Sequence, residues 1–205
     1  MKRTRRMGAF VFSLVLSLVG VTHAGWQQTN GPVGGPVYAW ATSGTTLFAA
    51  TALGVYRSID NGDHWTQANN GLDVAASFSI VASDGYLYAG TGDKGVFRAS
   101  VNTLSWVPAN SGMEGAVISD LFVDGTNLYA SGGDKVYRTA NRGVTWTTLS
   151  HFTHANVLSL VVIGHRLYAG CAEGVFLSLD SGASWTAVNS GLTDTDIRCL
   201  AVMGD

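Results

Sequence analysis

Five tryptophans constrain the fold more than any other feature: Trp26, Trp65, Trp106, Trp146 and Trp185 stand 39, 41, 40 and 39 residues apart. A period near 40 belongs to a repeated supersecondary unit, such as a propeller blade or a solenoid turn. The neighbours recur with the tryptophans. Leu47-Phe-Ala-Ala-Thr…Gly54-Val-Tyr-Arg57 returns as Leu87-Tyr-Ala-Gly-Thr…Gly95-Val-Phe-Arg98, as Leu128-Tyr-Ala-Ser…Val136-Tyr-Arg138, and as Leu167-Tyr-Ala-Gly-Cys…Gly174-Val-Phe-Leu177. Trp40 alone falls outside the series.

Each unit alternates short aromatic and β-branched runs with Gly, Asn, Asp or Ser, the pattern of strands joined by tight turns. In the first unit the strands are expected at 37–42, 46–51, 54–58 and 64–68. Four strands of this length form an up-and-down antiparallel blade, and blades set radially leave only short edges. The expected fold is therefore all-β, a β-propeller of four-stranded blades with an incomplete or open ring. A parallel β-helix competes, but its coils are shorter than this period.

The first 24 residues read differently. A basic start (Lys2, Arg3, Arg5, Arg6), an apolar stretch over 7–21 and a small-residue end at Ala24 make a secretory signal. The propeller repeats then occupy residues 25–205, and the product is expected to be secreted or periplasmic. No later stretch is long and apolar enough to be a bilayer span. Without the four signal bases, eight Lys and Arg face 14 acids, a formal charge of about −6. Such a surface has no general attraction for nucleic acid. The two cysteines, Cys171 and Cys199, are too few for a disulfide framework and read as two separate buried thiols.

The turn between the third and fourth strands carries the sharpest motif: Ser58-Ile-Asp60-Asn-Gly62-Asp-His-Trp65, and again Ser178-Leu-Asp180-Ser-Gly182-Ala-Ser-Trp185. It resembles the Asp box, or BNR repeat, of sialidase-like, xyloglucanase-like and photosystem-assembly-factor-like propellers. Thr139-Ala-Asn141-Arg-Gly143-Val-Thr-Trp146 is a variant with asparagine for the acid, and the second unit keeps only Trp106. The aspartate suits backbone N–H bonds inside a tight hairpin and the glycine supplies positive φ. The tryptophans are expected to be buried over the turn. The resemblance implies that Ser58, Asp60, Gly62, Trp65, Asn141, Gly143, Trp146, Ser178, Asp180, Gly182 and Trp185 are scaffold, on the face opposite any binding site.

That opposite face is made by the loops joining strands two and three and those leading to the next blade. Asp93-Lys94 and Asp134-Lys135 occupy matching loops, and with Glu173 they form the candidate binding rim for a protein or glycan ligand. His151 and His154 would bind a metal only with further ligands, so neither a metal nor a cofactor is assigned. Hydrolase chemistry needs more than the sequence displays. A sialidase converges arginines on its substrate carboxylate beside a tyrosine nucleophile, and its Arg-Ile-Pro signature is missing here. Glutamate occurs only at Glu114 and Glu173, and no acid pair is visible. The expected function is a non-catalytic binding module, with a glycoside hydrolase or a fragment of one as the alternative. About 4.5 periods fit after the signal, and a further inner strand is expected at 197–202, so truncation of a longer parent is also expected.

Overall fold

The computed structural model describes residues 30–33, 35–74, 76–151 and 156–202, without the side chains of Ser150 and His151. The signal segment 1–24, Trp26 and His154 lie outside the described residues. Among those described, the chain is all-β and forms four antiparallel sheets of four strands each. The first contains β1 (Val37–Ser43), β2 (Thr46–Thr51), β3 (Gly54–Ser58) and β4 (Thr66–Gln67). The second contains β5 (Ser77–Ser83), β6 (Tyr86–Thr91), β7 (Val96–Ser100) and β8 (Trp106–Pro108). The third contains β9 (Asp120–Asp124), β10 (Asn127–Gly132), β11 (Lys135–Thr139) and β12 (Thr147–His151). The fourth contains β13 (Val157–Ile163), β14 (Arg166–Cys171), β15 (Gly174–Ser178) and β16 (Thr186–Ala187). Strand order follows chain order in every sheet, as in propeller blades. The fourth strand of the first blade is shorter than the sequence suggests, because only Thr66 and Gln67 pair with β3.

The first strand of each blade is innermost: β1 packs on β5, β5 on β9, and β9 on β13. Between successive blades lies one apolar layer, built at fixed repeat positions. Phe48, Ala50 and Val55 of the first blade meet Ile80, Leu87, Phe97 and Trp106 of the second. Tyr88 and Val96 of the second meet Leu121, Leu128, Tyr137 and Trp146 of the third. Tyr129 and Val136 of the third meet Leu160 and Leu167 of the fourth. Each fully buried side chain of this size contributes roughly 1.5–3 kcal/mol, so these layers fix one blade against the next.

The tryptophans divide into two kinds, which corrects the expectation that Trp65 and Trp185 are buried. Trp106 and Trp146 are 3% and 5% exposed, and their Nε1–H groups donate to Ala68 O (2.6 Å) and Ala109 O (2.7 Å) of the preceding blade. Trp65 and Trp185 are half-buried, and their Nε1–H groups donate to Gly62 O (3.0 Å) and Gly182 O (3.2 Å) of their own hairpins. Two local causes are visible. No described blade precedes the first, and Trp65 pairs instead with Trp40 at a centroid distance of 5.3 Å. Before the fourth blade, Leu149 stands at the repeat position of Ala68 and Ala109. Its side chain crowds Gly182, where an added Cβ would meet Leu149 Cδ1 at 2.8 Å.

Residues 197–202 are not a strand, although the sequence suggests one. They nevertheless take the inner-strand seat beside the fourth blade. Ile197 N donates to Cys171 O (3.0 Å), as Ile118 N donates to Thr91 O (2.9 Å) two blades earlier. Leu200 N donates to Ser159 Oγ (3.1 Å), as Leu121 N donates to Ser79 Oγ (3.0 Å). A strand needs a ladder partner, and the described residues supply none to this segment. The cysteines are both free, but only Cys171 is buried; Cys199 is exposed.

Candidate functional site

The hairpins at 58–65 and 178–185 are built alike. Ser58 Oγ donates to Asp60 Oδ1 (2.8 Å), His64 N donates to the same oxygen (2.9 Å), and Gly62 N donates to Ser58 Oγ (2.9 Å). In the fourth blade Ser178, Ser184 and Gly182 make the same three bonds, all at 2.8 Å. There Ser184 Oγ adds a bond to Asp180 Oδ2 (2.6 Å). The His64 N–H and ring hold the Asp60 carboxyl down at about 2, and the Ser184 hydroxyl and N–H do the same for Asp180. Asn141 keeps the geometry without the charge: its Oδ1 accepts from Thr139 Oγ1 (2.7 Å) and Thr145 N (3.0 Å), while Gly143 N donates to Thr139 Oγ1 (3.2 Å). Both carboxylates are thus engaged inside their own turns.

The face at the other end of the strands holds Asp93, Lys94, Asp134 and Glu173 in loops between second and third strands, with Lys135 as the first residue of β11. Lys94 Nζ donates to the backbone oxygen and to Oδ2 (3.3 Å) of Asp73, which lies in the loop leading to the next blade. Asp93, Asp134 and Glu173 are exposed, while Lys94 and Lys135 are half-buried. The loops beneath them are fastened by asparagines that the sequence reading passed over. Asn69 Oδ1 accepts from Val55 N (2.7 Å) and its Nδ2 donates to Leu53 O (2.9 Å). Asn189 does the same with Val175 N (2.7 Å) and Glu173 O (3.1 Å), and Asn110 Nδ2 donates to Lys94 O (2.6 Å). Gly54 and Gly174 face these amides with positive φ, and a Cβ there would come within 2.6 and 2.2 Å of them. Their shared repeat phase, 69, 110 and 189, is the signal that identifies them.

At the axis the inner strands enclose a cavity of about 480 Å³. Its wall contains Asp120, which was not singled out from sequence. Asp120 occupies the repeat position held by Ala39, Ser79 and Ser159. Its Oδ2 accepts from Leu160 N (2.9 Å) of the fourth blade, and its Oδ1 accepts from Leu121 N (2.9 Å) and Ser79 Oγ (3.4 Å). Side-chain oxygens at this position therefore tie each blade to the next: Ser79 to Leu121, Asp120 to Leu160, Ser159 to Leu200. Burial raises the Asp120 carboxyl above its ordinary value, against the pull of these donors. The sequence signal is one acid at a phase otherwise kept small. Among the described residues no group of three metal-ligating side chains gathers.

Known proteins match the fold. The extracellular domain of BT4673 from B. thetaiotaomicron superposes with a TM-score of 0.70 at 16% identity, over 85% of this chain and 26% of that one. An ancestral GH74 enzyme gives 0.66 at 21% identity, over 80% of this chain and 25% of that one. The crystal structure of a nidogen/laminin complex gives 0.59 at 12% identity, over 72% and 60%. This chain thus spans about a quarter of the length of the first two. No family model and no curated protein sequence matches it. Four antiparallel four-stranded sheets around an axis, with these neighbours, define a β-propeller. Among the described residues no helix is long and apolar enough to cross a membrane.

Proposed function

We propose that the chain is an Asp-box propeller acting as a secreted, non-catalytic binding module, with Asp93, Lys94, Asp134, Lys135 and Glu173 as the polar rim for a protein or glycan ligand. The observation that carries this reading is the fastened loop face. Asn69, Asn110 and Asn189 bind the loop backbones while the charged side chains of Asp93 and Glu173 stand in solvent. Loops held by a rigid scaffold bind without a large ordering cost. Secretion is supported by the basic and apolar start of the sequence and by the extracellular placement of the BT4673 domain. Binding is favoured over turnover because Asp60, Asp180 and Asp120 all spend their oxygens on backbone N–H groups, whereas glycoside cleavage needs two carboxyls open to the scissile bond.

The test pairs a glycan array with a panel of fluorogenic glycosides. Retention of a ligand without release of fluorophore is the expected outcome, weakened by Asp93→Asn and Glu173→Gln together. Turnover that a single aspartate substitution abolishes would overturn the reading.

A further inference from the structure

We infer that the axial cavity is the ligand seat and that it takes the end of a neutral, pyranose-bearing glycan. This rests on the binding-module reading and specifies where and what the module binds. The carrying observation is a bulge repeated in three inner strands. The ladder slips between Val37 and Ala39 in β1, between Ser77 and Ser79 in β5, and between Val157 and Ser159 in β13. The extra residue in each case is Tyr38, Phe78 or Leu158. A bulge re-aims the side chain it frees from the ladder, and all three line the cavity. Ser119 and Arg198 line it at the same phase, so 38, 78, 119, 158 and 198 fall 40, 41, 39 and 40 residues apart. One register of the repeat thus differs between blades only in side-chain chemistry, as a site built on a scaffold requires.

That chemistry selects the ligand. Tyr38 and Phe78 meet edge to face at 5.2 Å, and Tyr38 remains 47% exposed. The negative face of such rings attracts the C–H face of a pyranose. Arg198 Nε and Nη2 donate to Asp196 Oδ2 at 3.0 and 2.7 Å, so the guanidinium brings no surplus charge. The pair offers donors and an acceptor together, which suits hydroxyls that both give and accept hydrogen bonds. Asp120 in the wall adds negative potential, and an anionic sugar would meet no unpaired cation there. A volume of about 480 Å³ lies in the range of small-ligand sites. The bulges sit where the inner strands begin, so the cavity opens beside the rim of Asp93 and Glu173.

A printed array of neutral and acidic glycans, probed with the full chain, tests this. Neutral glycans are expected to be retained in preference to acidic ones. Tyr38→Ala is expected to bind roughly tenfold more weakly, and Tyr38→Phe to stay within about twofold of the parent chain. Thermal melting checks that the exposed Tyr38 can be truncated without loss of fold. Preference for acidic glycans, retention of none, or parental binding by Tyr38→Ala would each overturn the inference. Parental binding by Tyr38→Ala combined with loss in Asp93→Asn/Glu173→Gln would leave the binding-module reading standing with its ligand at the rim.

Discussion

Asp60 and Asp120 carry the same side chain and respond oppositely to their surroundings. Asp60 collects N–H and ring donors in solvent, so its carboxyl falls from 3.8 to about 2; Asp180 does likewise. A depressed carboxyl stabilises the fold above its unfolded value near 3.8, and that stability is lost as pH falls through about 2. Asp120 is raised by burial, so its protonation favours the folded state as pH falls. Urea unfolding measured across pH 5 to 2 should therefore show an acid loss that the double substitution Asp60→Asn/Asp180→Asn flattens. An unchanged slope would show that the hairpin carboxylates do not set it. The tryptophans give a second residue-scale contrast. Trp106→Ala and Trp146→Ala should each cost about 3–5 kcal/mol, and Trp65→Ala about half as much, because half of its ring is already in water. Denaturant melts would register the difference. Sequence made the five tryptophans look equivalent, since it shows the period but not which carbonyl each indole reaches.

At the scale of the element, the Gly–Asn fastening of the loop face and the oxygen tie along the inner strands do separate work. Gly174→Ala should destabilise by about 2 kcal/mol or more, because it strains a left-handed φ of 120° and drives a Cβ into Asn189. Asn189→Gly introduced with it should recover only the part due to the clash, and thermal melts of the three chains separate the two costs. At the inner strands, Asp120→Leu leaves Leu160 N–H and Leu121 N–H without their acceptor and should cost about 2–4 kcal/mol. Asp120→Ser should cost less, since Ser79 and Ser159 already serve as acceptors at that phase. Equal losses in denaturant melts would argue against the tie. Strands β2 and β3 were legible to the residue because their motif repeats and their turns are marked. The bulges that free Tyr38 and Phe78 were not, because one extra residue leaves the apolar pattern of the run unbroken. Asp120 was hidden for another reason: its role depends on partners about 40 residues away in neighbouring blades.

Over the whole molecule, stability is distributed along the row of blades. The repeat position facing the preceding blade is 2% exposed at Ile80, 3% at Leu121 and 2% at Leu160, yet Trp40 holds it in the first blade at 40%. At the far end, Val188 and Leu192 occupy the positions of buried Ala68 and Leu72 and are 40% and 43% exposed. The middle blades are therefore covered on both faces and the outer described blades on one. In such an array each unit draws its stability from its own sheet and from the layers shared with its neighbours. Local opening should then cost most in the middle and least at the two ends. Hydrogen exchange read by mass spectrometry should find the amides of β6 and β10 slowest, with β2 and β14 faster although all four strands sit second in their sheets. Acrylamide should quench Trp40 and Trp65 before Trp106 and Trp146, as single-tryptophan variants would resolve. Uniform protection across the four blades would mean that the outer faces are covered in solution, and Trp40 shielded from acrylamide would place that cover on the first blade.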